Sequence, residues 1–166
     1  MTQPRVRPIP PEYLAGLRGA GRDDDGNPLR PFVDEEGGAP LRCCLRDSGP
    51  GERIALISYR PVRRSVTDLG RAADAGAAPY DEAGPVFVHA QSCDGPNGDR
   101  YPEQLRRRQL VLRCYGTDGR ILGGTVAPPG DGQPNALAEL LADPAVAFVH
   151  ARTVVHGCFL ADVRRG

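Results

Sequence analysis

The chain has 166 residues, with 21 basic and 21 acidic side chains and a formal net charge of zero. This length suits one domain with a substantial core. The charge balance argues against a protein that coats nucleic acid or an anionic membrane. Apart from the histidines, every basic residue is Arg, so chemistry through a lysine Schiff base is excluded.

The N-terminal residues and the cysteines indicate the compartment. Met1–Pro11 has no apolar segment typical of a signal peptide, and no apolar run approaches the ~18 residues of a membrane span. We therefore expect a cytoplasmic protein with no membrane partner and no nucleic-acid partner. The 5 cysteines form no CxxC pair, and in a cytoplasmic chain this predicts free cysteines rather than a disulfide framework.

Residues 1–40 are predicted to form an N-terminal extension that is partly irregular. Tyr13, Leu14 and Leu17 have the spacing of a short helix, but the rest is rich in Pro, Gly and acidic residues. We expect that residues 1–35 can be removed without loss of a cooperative melt. The alternative is that the short helix closes the core.

Residues 41–166 are predicted to form a single α+β domain. Apolar residues on both faces of Arg53–Val62 predict that this strand is central. An irregular stretch with a weak helix over Val66–Ala75 follows it. Further helices are predicted over Tyr101–Arg107 and over Ala136–Ala142, the second capped by Asn135. The predicted strands are Leu41–Arg46, Arg53–Val62, Pro85–Gln91, Gln109–Tyr115, Arg120–Val126, Ala145–Val155 and Cys158–Val163.

These elements show no βαβ rhythm. We therefore predict a mainly antiparallel sheet of about seven strands, which can curl toward a barrel, with two or three short helices.

The three histidines lie in apolar strand contexts, and two of them are followed by a cysteine two or four residues later. In an extended strand, His89 and Cys93 share a face, and so do His156 and Cys158. Strand pairing that gathers these residues would create one pocket. We predict catalytic roles for His89, Cys93, His150 and Cys158 and substrate binding by Arg42 and Arg152.

Three functions are compatible with this pattern. The first is a small-molecule enzyme or ligand-binding protein, with His as acid or base and a Cys of lowered pKa as nucleophile. The second is an accessory or interaction protein in which these residues are structural. The third is a mononuclear zinc or iron protein, which needs three or four of them to converge. The HxxxC spacing is not specific for metals, so we assign no metal ligand and no cofactor.

The first function predicts a reactive thiol. We expect Cys93 or Cys158 to react with an alkylating reagent ahead of Cys43, Cys44 and Cys114. The apparent pKa of that thiol should lie below the ~8.5 of a free cysteine.

Three segments resemble the bacterial domain-of-unknown-function 1203 family: YDEAGPVFVHAQSC (80–93), LRRRQLVLRCYGTDG (105–119) and LADPAVAFVHARTVVHGCFLADV (141–163). The resemblance covers about residues 40–165 and implies a small cytoplasmic bacterial protein with no known reaction. The segment LRCCLRD departs from the family pattern, so no role is carried over to Cys43. The motif positions occupied here are Gly84, Pro85, Phe87, His89, Cys93, His150, Gly157, Cys158 and Phe159.

Overall fold

The computed structural model describes residues 3–71 and 79–166. Within these residues there are eight strands and four helices. The elements in chain order are β1 (Arg5–Arg7), α1 (Pro11–Ala20), β2 (Phe32–Asp34), β3 (Glu52–Tyr59), α2 (Pro61–Asp68), β4 (Gly84–His89), α3 (Glu103–Arg106), β5 (Leu110–Tyr115), β6 (Ile121–Ala127), α4 (Gln133–Ala142), β7 (Phe148–Thr153) and β8 (Phe159–Arg164).

The strands form two open antiparallel sheets. The larger sheet has five strands in the order β1-β8-β7-β5-β6, and the smaller has three in the order β2-β3-β4. The predicted α+β class with antiparallel sheets is therefore confirmed, and β3 is central in its sheet as predicted. The described strands close no barrel.

Each sheet covers its own apolar cluster. Leu110, Leu112 and Leu160 of the large sheet pack with Leu137 and Leu141 of α4. The second cluster lies between the small sheet and the N-terminal segment, and includes Ile9, Leu14, Leu17, Ile54, Ile57, Val86, Val88 and Phe159. Because Phe159 is on β8, this cluster also joins the small sheet to the large one.

The N-terminal residues are part of this architecture. β1 pairs antiparallel with β8, and Leu14 and Leu17 of α1 are buried. The predicted helix is confirmed: it has Pro in its first turn and ends at Gly21, whose φ of +68° provides a left-handed cap.

The predicted strand Leu41–Arg46 is wrong, because these residues form a turn. Leu45 adopts a φ of +58°, and its N–H donates to the Leu41 carbonyl at 3.1 Å. Cys43 and Cys44 are buried alongside both leucines. Residues 41–45 are all buried, which explains why the segment has the composition of a strand. We call residues 41–47 the cysteine turn.

Two helices have different bounds from those predicted. α2 begins at Pro61, where the fixed φ of proline suits a first turn, and residues 72–75 of the predicted helix lie outside the described residues. α4 begins at Gln133, so Asn135 is inside the helix and does not cap it.

No helix in the described part of the chain is long and apolar enough to cross a bilayer.

Candidate functional site

The cysteine turn and the end of β4 bring four soft side chains together. Cys43 and Cys44 lie in the turn, His89 is the last residue of β4, and Cys93 follows in the next loop. One ligand atom from each residue lies within 4.8 Å of all the others. We call these four residues the Cys/His cluster.

Two distances in the Cys/His cluster are close to those of a tetrahedral metal site. The Nδ1 atom of His89 lies 3.3 Å from the sulfur of Cys43 and 3.9 Å from that of Cys44. Tetrahedral Zn²⁺, with bonds of about 2.3 Å to sulfur and about 2.0–2.1 Å to nitrogen, holds neighbouring ligand atoms about 3.5–3.8 Å apart. Pairs of ligand atoms at the 4.8 Å limit of the cluster would have to approach by about 1 Å to bind one ion.

Backbone contacts hold the cysteine turn against β4. Leu41 forms a parallel bridge with Phe87, and the N–H of Arg42 donates to the Phe87 carbonyl at 2.9 Å. The N–H of His89 donates to the sulfur of Cys43 at 3.3 Å. The proximity of these thiols to the imidazole thus follows from main-chain pairing.

On its other side, the imidazole meets an ion pair. Its Nε2 lies 3.4 Å from Oε1 of Glu52, and Arg46 holds the same carboxylate at 2.6 and 3.0 Å. Nε2 is also 3.3 Å from Nη2 of Arg46. The two contacts need opposite tautomers, because a guanidinium only donates hydrogen bonds and so requires an unprotonated Nε2. When Nε2 carries the proton, it donates to Glu52 and the Nδ1 lone pair faces the sulfurs.

The charges in the site are set by these contacts. Hydrogen bonds from Arg46 lower the pKa of Glu52 to about 2, so this carboxylate is ionised at neutral pH. A hydrogen bond from Cys43 lowers the pKa of the Cys44 thiol, whereas the same bond and burial raise the pKa of Cys43. Burial raises the pKa of Cys93. Cys44 is therefore the acceptor of the hydrogen bond that the Cys43 thiol donates.

A cleft of about 440 Å³ opens beside the Cys/His cluster. Cys44, His89 and Cys93 line one side of it, and Gln91, Ser92 and Asn97 add polar groups. A larger cleft of about 820 Å³ adjoins β1 and contains no His or Cys among its lining residues. Soft ligands and a polar cavity thus coincide at the smaller cleft.

The predicted site residues do not share one pocket. His89 and Cys93 lie in the Cys/His cluster, whereas Cys158 and Arg152 line a second cleft, of about 200 Å³, that shares no residue with the first. His150 is fully buried. The expected convergence is therefore wrong, because His89 ends β4, whereas Arg152 and Cys158 lie beside the start of that strand. The catalytic roles stay predictions.

The two predicted substrate-binding arginines are both buried. Arg42 donates to the carbonyls of Phe159 and Pro40, and Arg152 pairs with Glu82. Burial lowers the pKa of each guanidinium to about 10. Arg152 and Cys158 line the second cleft, separate from the Cys/His cluster, whereas Arg42 lines neither cleft.

His150 belongs to a buried polar network. Its Nε2 lies 2.9 Å from the Ser65 hydroxyl, which donates to Asp162 at 3.3 Å. The rings of Tyr115, Phe148 and Phe159 surround the imidazole. Burial, together with the charges of Arg164 and Arg113, lowers the pKa of His150 well below 6.5. This histidine is therefore neutral in the folded protein.

We expect His150 to make the protein acid-sensitive. Below pH ~6.5 the unfolded chain binds a proton that the native His150 does not, so stability falls by up to ~1.4 kcal/mol per pH unit as pH decreases. His150→Gln should flatten the dependence of unfolding free energy on pH between ~6.5 and ~5, measured by urea denaturation. His156→Gln is the matched control. Equal slopes for both variants would contradict this role.

Four residues of the site were not identified from the sequence: Cys43, Cys44, Arg46 and Glu52. The adjacent cysteines are a visible signal, but their contacts with His89 span 46 and 45 residues. Arg46 and Glu52 lie on either side of the sequence DSGPG (47–51), which is typical of a turn and does not itself indicate that the two side chains pair. Only the long-range bridge to β4 reveals these four residues as part of a site.

Comparison with known proteins places the chain in a family. It is 36% identical over 96 residues to a mycothiol acetyltransferase of Clavibacter michiganensis subsp. michiganensis (strain NCPPB 382). That match covers 56% of this chain but only 26% of the relative. No solved structure matches. Residues 38–165 match the family described as "Protein of unknown function (DUF1203)", which confirms the resemblance, and the chain belongs to that family.

Proposed function

We propose that the protein binds one Zn²⁺ ion through Cys43, Cys44, His89 and Cys93, at the wall of a cleft for a small polar molecule. The observation that carries this proposal is the approach of four ligand atoms to within 4.8 Å of one another. Thiolate and imidazole ligands in tetrahedral arrangement are the donor set that favours Zn²⁺.

Glu52 supports the proposal as a positioning residue. Imidazoles that bind a metal through one nitrogen usually donate the other N–H to a carboxylate, which fixes the tautomer and the ring. Glu52 is 3.4 Å from Nε2 of His89 and is kept ionised by Arg46. The pair therefore orients His89 with Nδ1 toward the three sulfurs.

Arg46 bears on the net charge of the proposed zinc site. Three thiolates and one Zn²⁺ carry a net charge of −1, which is costly in a partly buried place. The charges of Cys43 and Cys44 act on Arg46, whose pKa is raised above its ordinary value, first by its hydrogen bonds to Glu52. Because the guanidinium is paired with the ionised Glu52, it cancels the charge of that carboxylate and keeps the negative charge of a loaded site from rising above that of the thiolates and the ion.

A bound ion would connect three separate pieces of chain: the cysteine turn, the end of β4 and the loop that carries Cys93. This loop also contributes Gln91, Ser92 and Asn97 to the 440 Å³ cleft. The ion would therefore shape the cleft as well as hold the turn. Thiolate ligands are maintained in a reducing compartment, in keeping with the cytoplasmic location that we propose from the sequence.

The test is titration of the reduced, metal-free protein with Co²⁺, a coloured substitute for Zn²⁺. We expect saturation at one ion per chain, a sulfur-to-cobalt charge-transfer band and the visible bands of tetrahedral cobalt. Added Zn²⁺ should bleach all of them. Saturation without the charge-transfer band would overturn the assignment of the thiolates as ligands.

Replacing Glu52 with Gln should weaken Zn²⁺ binding by about 10- to 100-fold, the usual effect of removing a carboxylate behind a ligating histidine. The affinity is measured by competition with a chelator of known strength. Glu103→Gln, an exposed change on α3, is the control. A purely structural role would instead lower the melting temperature of the metal-free protein and leave the affinity unchanged.

One observation favours a second candidate function, thiol–disulfide exchange: three thiols of the Cys/His cluster lie within 4.8 Å of one another. The Cys44 thiolate would attack a low-molecular-weight disulfide and displace one thiolate. The Cys93 thiolate would then attack the mixed disulfide, release the second thiolate and leave a Cys44–Cys93 disulfide. Two electrons thereby pass from the protein to the small disulfide.

Mass spectrometry separates the two functions. Rapid formation of the Cys44–Cys93 disulfide in the presence of saturating Zn²⁺ favours exchange, and protection of these thiols by Zn²⁺ favours metal binding. The relative named mycothiol acetyltransferase suggests an association with a thiol compound. The chain covers only 26% of that relative, so we propose no acetyl transfer.

A further inference from the structure

The second cleft lies at the start of β4, whereas the Cys/His cluster lies at the end of that strand, and its lining residues have a different chemistry. It has a volume of about 200 Å³ and lies between the start of β4 and the turn that joins β7 to β8. Tyr59, Pro61, Val86 and Phe159 give it apolar walls, and Arg152 lies at the same cleft. A cavity with one buried cation and apolar walls is suited to an amphipathic anion.

The Arg152 guanidinium is buried without full satisfaction of its donors. The residue is 3% exposed, and its Nη1 donates to the Gly157 carbonyl at 2.8 Å. Its buried Nε has no hydrogen-bond partner among the described residues. A buried cation needs an anion nearby, and a planar carboxylate can accept from two guanidinium nitrogens at once.

The anion beside Arg152 is the carboxylate of Glu82, which forms an ion pair with Nη2. The Glu82 side chain is 43% exposed, whereas that of Arg152 is 4% exposed. Arg113 also lies 3.8 Å from the same oxygen. A half-exposed carboxylate can leave a buried guanidinium at little desolvation cost, because water and Arg113 remain available to it.

We propose that this cleft binds a small monocarboxylate whose carboxylate replaces that of Glu82 on Arg152. The short apolar body of the ligand lies against Tyr59 and Phe159. At ~30 Å³ per water-sized group, a volume of about 200 Å³ admits about six heavy atoms, the size of butyrate. In the free protein, Glu82 acts as an internal substitute for the ligand.

The test is an NMR titration of the reduced protein with butyrate, following the Nε–H signal of Arg152. We expect saturable shifts of this signal. In Glu82→Gln the dissociation constant should fall by at least about tenfold, because a tethered competitor has been removed. Glu139→Gln, which removes an exposed carboxylate from α4, is the matched control and should bind as the unmodified protein does.

Three probes separate the ligand classes. Butan-1-ol has the same chain without the charge and should not shift the Arg152 signal, and phosphate should bind more weakly than butyrate. Equal binding of butan-1-ol, tighter binding of phosphate, or no gain in affinity for Glu82→Gln each overturns the proposal. Arg152→Gln should abolish butyrate binding if this variant folds. If the variant does not fold, the Glu82→Gln result decides. Chelator-treated protein should give the same outcomes, so this site is tested independently of Zn²⁺.

Discussion

Replacing Cys43 with Ser should lower the affinity for Zn²⁺ by at least about 100-fold. Structural Zn²⁺ binding is worth about 10–16 kcal/mol in small domains, so one of four ligand bonds corresponds to ~3 kcal/mol or more. The serine hydroxyl has nearly the same shape as the thiol but is a poor ligand because it stays protonated. The measurement is chelator competition under reducing conditions.

Cys158→Ser is the matched control, because it removes a half-buried thiol outside the Cys/His cluster. Binding of an ion to the native state alone also stabilises it, by ~4 kcal/mol when the free ion is ~1,000 times its dissociation constant. Zn²⁺ should therefore raise the melting temperature of the unmodified protein and of Cys158→Ser, but not that of Cys43→Ser. Equal responses in all three proteins would contradict the assignment.

Deleting residues 1–20 should abolish the cooperative unfolding transition or nearly abolish it. The deletion removes β1 from its pairing with β8 and takes away the buried side chains of Ile9, Leu14 and Leu17. At ~1.5–3 kcal/mol for each aliphatic side chain, the loss is comparable to the whole ~5–15 kcal/mol stability of a typical domain.

This expectation reverses the one drawn from the low apolar density of residues 1–35. Chemical denaturation followed by circular dichroism measures it. Leu14→Ala should cost about 2–5 kcal/mol, as for other large-to-small changes in a core, and the exposed Glu12→Ala should cost less than ~0.5 kcal/mol. A truncated protein that melts as cooperatively as the full chain would show that the N-terminal segment packs without stabilising the core.

Much of the fold was predictable because its signals are local. The hairpin of β5 and β6 follows from two apolar runs joined by an Asp-Gly turn. β3 was predicted to be central because both of its faces are apolar, and it is. The cysteine turn was predicted wrongly because its buried residues Leu41, Cys43, Cys44 and Leu45 have the composition of a strand. The amino-acid composition of a segment indicates whether it is buried. It does not indicate the φ of +58° at Leu45, which is adopted only in the folded chain.

The site was only half predictable, for a related reason. His89 and Cys93 are only four residues apart, and this short separation made their proximity predictable, although Cys93 lies in the loop after β4 and not on the strand. Cys43 and Cys44 reach them only through the bridge between Leu41 and Phe87, a pairing that no local pattern specifies. The grouping of His89 with His150 failed because apolar strand context does not indicate to which of two sheets a strand belongs.

X-ray absorption at the zinc edge of the reduced, Zn²⁺-loaded protein reports the ligands of the ion itself. We expect three sulfur neighbours at about 2.3 Å and one nitrogen neighbour at about 2.0–2.1 Å. In Cys43→Ser, one sulfur neighbour should be lost from whatever ion still binds. A first shell of oxygen and nitrogen alone, or a preparation that takes up no ion at saturating Zn²⁺, would contradict a metal centre at the Cys/His cluster.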